Sequence, residues 1–246
     1  MHRGHAFSAL TAAHAAREAG GRFILRIEDI DVARCRAEFE AAIHEDLAWI
    51  GLNWETPVRR QSDHMDDYRA ALNRLGAEGL IYRCFKTRSD LMDEAARAPH
   101  GPVAPYLGAA LPEAEEALRL AAGEPFAWRL SLRAAKDRLG PAFDRLDFVE
   151  QGAGPNGEHG QLSGSPQGAG DVILARKGLG VAYHLAVVVD DASQGVNLVV
   201  RGADLFDAVP VQRLLQTLLG LPAPVYLHHP ILLRPDGKRY AKRDQS

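Results

Sequence analysis

The sequence predicts an α/β fold, a doubly wound parallel sheet interrupted by an α+β insertion. Two observations lead to this prediction. Strand-like segments of two-residue alternation follow helix-like segments of 3.6-residue period in the first and last thirds of the chain. The middle third instead mixes short strands with two loops rich in Gly and Pro. We therefore expect a main domain formed by residues 1–80 and 171–246, with residues 81–170 inserted as a subdomain.

The composition is that of an ordinary globular protein, with 246 residues, 46% hydrophobic residues and a net charge of −3. A chain of this length buries roughly 70–75% of the surface of its unfolded form, so it needs no disulfides or metals for stability. Its two cysteines, Cys35 and Cys84, are too few for the disulfide framework of a secreted protein. No apolar run approaches the ~18 residues of a membrane span. We expect a cytoplasmic monomer that does not contact membranes.

The periodicity gives the order of the elements. The first third is expected to contain a helix over residues 1–19, a strand over 22–27, and helices over 34–50 and 64–79. The middle is expected to contain strands over 126–132 and 143–149. The last third is expected to contain strands over 171–176, 196–200 and 225–228 and helices over 183–191 and 204–219. In such a fold, ligands bind at the carboxyl ends of the strands.

Two motifs are suited to binding phosphate. His2-Arg3-Gly4-His5 opens the first helix, where free backbone amides and the helix dipole favour anions and the glycine lets a flat ligand approach. Residues 238–243 hold four cationic side chains in six positions. This density of positive charge suits a mobile loop that follows a departing pyrophosphate. Taken alone, each motif has a simpler interpretation, solvated surface histidines for the first and a frayed basic tail for the second.

Three further polar side chains lie at or beside strand ends. Glu28 closes the first strand, where its carboxylate can pair with an ammonium group. Arg201 closes a later strand and can clamp a carboxylate bidentately, and Tyr183 opens the helix before that strand. Considered singly, these residues would more simply be a surface acid, a surface ion pair and a packed core aromatic.

Together these segments resemble the class I aminoacyl-tRNA synthetases across nearly the whole chain. HRGH at residues 2–5 is similar to their HIGH signature, and KRYAKR at 238–243 is similar to their KMSKS loop. FILRIEDID at 23–31 and AYHLAVVVDD at 182–191 resemble the glutamyl subgroup. Within it, the chain is most similar to short paralogues that have the catalytic domain and no anticodon-binding domain.

The resemblance implies a Rossmann-like catalytic domain that activates glutamate with ATP and Mg²⁺ as substrate, releasing pyrophosphate and later AMP. It implies catalytic roles for His2, His5 and Lys242. The ATP-binding residues it implies are His2, Gly4, His5, Arg239 and Lys242, and the glutamate-binding residues are Glu28, Tyr183 and Arg201. The activated glutamate would pass to queuosine in the anticodon loop of tRNA(Asp), a single-stranded target of the kind that specific RNA recognition favours.

The chain also departs from this pattern. Relatives begin with a strand before the HIGH signature, and this sequence opens at Met1-His2, so we expect the first strand to be missing and activity to suffer unless the true start lies upstream. Arg239 and Ala241 replace a lysine and a serine of the KMSKS loop. Two alternatives therefore stay open, a non-catalytic tRNA-binding paralogue and a fragment of a conventional glutamyl-tRNA synthetase.

No structural zinc is expected, although relatives often carry one on a Cys-x-Cys strand with a downstream Tyr and Cys. Here Lys86 stands where the second cysteine would follow Cys84. Downstream, Tyr106 is kept, and Ala110 stands in place of the last cysteine. One thiol and one phenol cannot complete a tetrahedral site, and His100 is the one nearby reserve ligand.

Overall fold

The structure, a computed structural model, describes residues 1–31, 35–87, 89–90, 105–176, 180–238 and 240. The helices bounded within these ranges are α1 (Arg3–Glu18), α2 (Ala37–Trp49), α3 (Met65–Ala77), α4 (Glu113–Ala121), α5 (Leu132–Leu139), α6 (Tyr183–Gln194) and α7 (Val209–Leu219). The strands are β1 (Arg26–Ile27), β2 (Arg59–Arg60), β3 (Ile81–Cys84), β4 (Ala127–Leu130), β5 (Leu146–Glu150), β6 (Gly160–Gly164), β7 (Ile173–Arg176), β8 (Gly180–Val181), β9 (Leu198–Gly202) and β10 (Val225–His229).

Helices α1, α2, α3, α6 and α7 form where the 3.6-residue period placed them, whereas α4 and α5 lie in the middle third, where no helix was expected. Glycine ends two of the predicted helices. Gly195 follows α6 and Gly220 follows α7, each at positive φ as a left-handed C-cap. Glycine adopts this conformation without the clash that a Cβ would cause. In the described parts of the chain, no helix is both long enough and apolar enough to cross a bilayer.

Two four-stranded sheets organise the described residues. In the first, with strand order β6-β5-β10-β9, β10 lies parallel to both β5 and β9, while β6 pairs antiparallel at one edge. The second sheet, with order β3-β4-β7-β8, is antiparallel throughout. A small parallel pair, β1 with β2, stands apart from both. The predicted α/β class with parallel strands is confirmed.

The pairing places two strands differently from the sequence expectation. β5, expected within the insertion, belongs to the parallel sheet, and β7, expected in the main sheet, joins the antiparallel one. β6 was not among the expected strands, and it pairs with β5. Alternation identifies a strand but carries no signal for its pairing partner, which depends on long-range packing. Of the strand expected over residues 22–27, only the two residues of β1 are paired, and their partner is β2. The domain boundaries at 80/81 and 170/171 stay a prediction.

The main core lies between three helices and the antiparallel sheet. Helices α3, α6 and α7 bury leucines and valines against one another and against β4 and β7. A smaller cluster of Phe148, Val209 and Tyr226 packs α7 against the parallel sheet. Because α6 and α7 are buried along most of their length, the ends of the strands beside them are held firmly.

The region of the family's zinc site holds a hydrogen-bonded cluster that does not fit a metal. The Cys84 Sγ lies 3.6 Å from the Tyr106 Oη, and burial together with this contact raises the pKa of Tyr106 to about 12. The Lys86 ammonium lies 5.6 Å from the centre of the Tyr106 ring, where it would repel a cation. The described residues contain no group of three potential metal ligands. The absence of zinc stays a prediction.

A buried carboxylate ties four elements together. Asp190 of α6 is fully buried and accepts hydrogen bonds from Arg59 Nε at 2.7 Å, Gln61 Nε2 at 2.8 Å and the Tyr68 hydroxyl at 2.8 Å. The Arg26 guanidinium approaches within 3.7 Å. A buried charge is tolerated only with such compensation, so these contacts fix β1, β2 and α3 against α6.

Replacing Asp190 by alanine is expected to destabilise the protein by about 3–5 kcal/mol, because it leaves a guanidinium, an amide and a phenol without their shared acceptor. Urea unfolding measures the change. The matched control is Asp66→Ala, whose carboxylate is 91% exposed and pairs with Arg69, so its loss should cost no more than about 1 kcal/mol. Equal losses in the two variants would contradict the account.

Candidate active site

Three strands of the parallel sheet deliver polar side chains to one edge. β5 ends at Glu150, β9 ends with Arg201 and Gly202, and β10 ends with His228 and His229. In the sheet register, His228 lies beside Arg201 and His229 beside Gly202. Since the carboxyl ends of parallel strands meet at one edge, these residues form a single cluster, as the sequence analysis expected of the ligand site.

Arg201 is buried, with 8% of its surface exposed, and its guanidinium is extensively bonded. Its Nε donates to His228 Nε2 at 3.0 Å, and its Nη1 donates to Gln212 Oε1 at 2.9 Å and contacts the Tyr183 hydroxyl at 3.4 Å. Its Nη2 donates to the Leu205 carbonyl at 3.2 Å. Of its five N–H groups, one on Nη2 has no acceptor among the described residues. One N–H of the guanidinium is thus open in this arrangement, and the bidentate clamp on a carboxylate stays a prediction.

Tyr183 and Glu28 lie next to Arg201. Burial raises the pKa of the Tyr183 hydroxyl, Arg201 opposes that shift, and the Glu28 carboxylate adds to it. Electrostatic coupling of this kind requires the three groups to be close. The structure thus brings together the three residues predicted to hold glutamate. Their binding roles stay a prediction.

Glu28 is held in place by an arginine that sits between carboxylates. Arg26 Nη2 donates to Glu28 Oε1 at 3.1 Å, while its Nη1 donates to Asp191 Oδ1 at 2.8 Å and to Gln194 Oε1 at 3.2 Å. Burial alone would lower the pKa of Arg26, but the neighbouring carboxylates raise it above its ordinary value. The other oxygen of Glu28, on a side chain that is 41% exposed, can face a ligand.

The two histidines of the HRGH segment face each other at the start of α1. Their rings stack with centroids 3.7 Å apart. His2 is the N-cap residue, and its Nδ1 accepts from the Gly4 amide at 3.1 Å, while the His2 amide donates to His5 Nδ1 at 3.4 Å. A Cβ at Gly4 would lie 3.0 Å from the His2 ring. Glycine here makes room for that ring, and a phosphate would have to displace this cap.

The start of α1 lies beside the strand ends. Ser8 Oγ is 3.0 Å from His229 Nε2, and the ring of Phe7 packs edge-on against the same histidine. A cavity of about 1160 Å³ extends between α1, α2, residues 21–28 and β9, and both His2 and Glu28 line it. It exceeds the ~300–1,000 Å³ of most ligand pockets. It borders β1 and β9, two strands that do not pair with each other in the described sheets. The expected missing strand stays a prediction.

The predicted basic loop is described only in part. Arg239 and Lys242, expected to contact ATP, lie outside the described residues. The turn before them is described, with the Arg234 amide donating to the Lys238 carbonyl at 2.8 Å. The ATP-binding roles of the loop therefore stay a prediction.

Three residues of the cluster escaped the sequence analysis. Glu150 and His228 end β5 and β10, and Gln212 of α7 bonds Arg201. The first two could have been found by asking which polar residues close each strand, the rule that singled out Glu28 and Arg201. No sequence pattern singled out Gln212, because its position in the predicted helix is the same as that of an ordinary packed residue.

Two buried nitrogens beside Arg201 lack a hydrogen-bond partner among the described residues. They are Gln212 Nε2 and His184 Nδ1. Burial, reinforced by Arg201, lowers the pKa of His184. Unsatisfied buried polar atoms are uncommon in native proteins and often mark a place that a ligand completes. The cluster thus offers a cationic N–H, an amide and an imidazole to a polar ligand.

The pH dependence of stability follows from two buried histidines. Burial is the first cause that lowers the pKa of both His184 and His228. Since their folded-state pKa lies below the unfolded value of about 6.5, the unfolded chain binds more protons as pH falls through that value, and stability is lost. We expect the unfolding free energy to decrease from pH 7.5 to 6.0, by at most about 1.4 kcal/mol per pH unit for each histidine.

Urea unfolding at several pH values measures this dependence. His228→Gln removes one of the two titrating groups and should flatten the curve, while the exposed His14→Gln should leave it unchanged. Stability that rises toward pH 6.0 would contradict the assignment.

The chain was compared with curated proteins. It is 44% identical over 264 residues to the glutamyl-Q tRNA(Asp) synthetase of Rhodobacter capsulatus, covering 100% of this chain and 88% of that protein. It is 45% identical over 249 residues to the protein of the same name from Nocardia farcinica, covering 99% of this chain and 72% of that one.

Solved structures and a family model agree with these relatives. The glutamate-tRNA synthetase of Elizabethkingia anophelis superposes with a TM-score of 0.81 at 26% identity, covering 99% of this chain and 50% of that one. A glutamate tRNA ligase of Elizabethkingia meningosepticum, solved with its amino acid, gives 0.78 at 27% identity, also over 99% and 50%. The chain thus spans half the length of these structures. Residues 1–246 match the model of the class I tRNA synthetases (E and Q), catalytic domain, and the chain belongs to that family.

Proposed function

We propose that this protein is a ligase that activates glutamate with ATP and transfers it to queuosine in the anticodon loop of tRNA(Asp). The curated relatives named for glutamyl-Q tRNA(Asp) support the reaction, and membership of the class I synthetase family supports the use of ATP. Glutamate, ATP with Mg²⁺ and the tRNA(Asp) anticodon stem-loop are then its substrates, and no structural zinc takes part.

The observation that carries the proposal is the gathering of Glu28, Tyr183 and Arg201 at the carboxyl edge of the strands. A free amino acid is a zwitterion. An acid suits its ammonium group, and a buried arginine with a spare N–H suits one of its carboxylates. The unpaired Gln212 and His184 nitrogens add further contacts for the same ligand.

The chemistry needs orientation and charge stabilisation, with no side-chain nucleophile. An oxygen of the glutamate α-carboxylate attacks the α-phosphorus of ATP, and pyrophosphate leaves. A hydroxyl of the queuosine cyclopentene ring then attacks the carbonyl carbon, and AMP leaves. In this proposal His2, Gly4 and His5 hold the phosphates at the start of α1, while Arg239 and Lys242 neutralise the departing pyrophosphate.

A second candidate is aminoacylation of the 3′ end of tRNA(Glu). The solved relatives carry the name of glutamate-tRNA synthetase or ligase, which favours it, and this chain spans half of their length. A non-catalytic tRNA-binding protein remains the third alternative. The product formed on each tRNA separates the three.

We expect ATP–pyrophosphate exchange that depends on glutamate and needs no tRNA, with glutamine and aspartate as weak substrates. Arg201→Gln should lower kcat/KM for glutamate by about 10- to 100-fold, because a hydrogen bond to a charged group is worth about 1.5–3 kcal/mol. The control is Arg69→Gln, whose side chain is 65% exposed and pairs only with Asp66 among the described residues, and it should keep full exchange.

Charging assays complete the test. Glutamate should appear on tRNA(Asp) that carries queuosine and not on the same tRNA without it. Glutamate on the 3′ end of tRNA(Glu) would support the second candidate. Absence of exchange together with tRNA binding would support the third.

A further inference from the structure

We propose that His228, held by Glu150, is a positioning residue that sets the orientation of Arg201 and thereby the binding of the substrate carboxylate. The proposal rests on the proposed function, in which Arg201 contacts glutamate. It concerns two residues, His228 and Glu150, that hold the guanidinium from the two neighbouring strands; neither they nor Arg201 line the large cavity.

The three side chains form a chain of hydrogen bonds across three strands. Arg201 Nε of β9 lies 3.0 Å from His228 Nε2 of β10, and His228 Nδ1 lies 2.5 Å from Glu150 Oε2 of β5. The side chains of His228 and Glu150 are fully buried. These distances, in so dry an environment, make each bond stronger than it would be at the surface.

The direction of each bond follows from what each group can do. Arginine has only donors, so His228 Nε2 must accept. A neutral imidazole then carries its proton on Nδ1, which donates to Glu150 Oε2. Arg201 thus selects one tautomer of His228, and Glu150 stabilises the same tautomer.

Glu150 is itself rigidly held. Its Oε1 accepts from the backbone amides of His228 at 2.8 Å and of Gly152 at 2.7 Å. The chain at Gly152 runs so close to β10 that a Cβ there would lie 2.1 Å from the His228 carbonyl oxygen. The carboxylate is therefore fixed by the sheet edge, and the imidazole transmits that position to the guanidinium.

The surrounding rings fix the plane of the guanidinium. Tyr226 lies under both groups, with Arg201 Cζ 5.3 Å from its ring centre and the His228 ring parallel to it at 6.0 Å. Phe206 packs edge-on against His228, with the ring centres 5.2 Å apart. With Nε anchored and Nη1 shared between Gln212 and Tyr183, the free N–H of Nη2 has one direction left.

Protonation of His228 would break this arrangement, because Nε2 would become a donor facing a cation. The charged or titratable groups around His228 are Arg201 on β9, Glu150 on β5, and His229 on its own strand. Burial first, and then Arg201, lowers the pKa of His228, while Glu150 opposes the shift. The neutral form is thus the one present near pH 7, and glutamate affinity should fall in acid.

Two amide variants separate positioning from stability. In His228→Gln the side-chain oxygen can reach the place of Nε2 and accept from Arg201, while the bond to Glu150 is lost. In His228→Asn the side-chain NH₂ can take the place of Nδ1 and donate to Glu150, while the bond to Arg201 is lost. Each variant keeps one of the two bonds, so their losses in melting temperature should be similar.

Their kinetics should differ. We expect His228→Asn to raise KM for glutamate at least tenfold in ATP–pyrophosphate exchange with KM for ATP unchanged, and His228→Gln to stay within about threefold of the parent protein. Calorimetric titration with glutamate should give the same ranking. Equal effects of the two variants, or parallel changes in KM for ATP, would overturn the positioning role.

A spectroscopic measurement decides the geometry even without turnover. In protein labelled with ¹⁵N-histidine, the His228 signals should be those of a neutral ring protonated at Nδ1, and they should persist to a lower pH than those of free histidine. A proton on Nε2 would overturn the proposal. If this tautomer is observed but the parent protein neither binds nor activates glutamate, the proposed function is wrong. The role of His228 in substrate binding is then wrong as well, and only the hydrogen-bonded chain of Arg201, His228 and Glu150 is supported.

Discussion

The burial of the Arg201 guanidinium at the carboxyl edge of the parallel sheet is the constraint on which the candidate site depends. A buried cation costs several kcal/mol unless charge and hydrogen bonds compensate it. Here Glu150 supplies the opposite charge through the His228 ring, and Gln212 supplies an acceptor. Because Glu150 does not touch the guanidinium, part of the positive potential is left at Nη2. The same arrangement that allows the burial therefore leaves a cation available to a ligand carboxylate.

The opposite side of the site carries the opposite potential. Glu28, Asp190 and Asp191 contribute three carboxylates there, against the two guanidiniums of Arg26 and Arg59. The excess is negative, and it lies where the Glu28 oxygen faces outward. An amino acid zwitterion presents the complementary pattern, an ammonium toward this cluster and a carboxylate toward the strand ends. The carboxylates of Asp190 and Asp191 on α6 thus contribute both to the packing of the elements and to the negative potential of this side of the site.

The sequence predicted what depends on local pattern. The positions of α1, α2, α3, α6 and α7 followed from periodicity, while α4 and α5 were missed, and Glu28 and Arg201 followed from their places at strand ends. The hydrogen bonds that run from Arg201 through His228 to Glu150 could not be found the same way. The bond between His228 and Glu150 joins residues 78 apart in the sequence and depends on β5 lying beside β10, a pairing that alternation does not encode. For the same reason, the sequence placed β5 and β7 in the wrong sheets. A sequence also does not reveal how many N–H groups of Arg201 the fold itself occupies, so the bidentate clamp stays a prediction.

A crystal structure of the protein with bound glutamate would show directly whether Arg201 and Glu28 hold the two charged ends of the substrate. We expect a carboxylate oxygen of glutamate at about 2.7–2.9 Å from Arg201 Nη2 and the ammonium group at a similar distance from the free oxygen of Glu28. The bonds from Arg201 to His228 and from His228 to Glu150 should persist in the complex. Glutamate bound elsewhere, or bound after the guanidinium has swung away from His228, would contradict this role of Arg201.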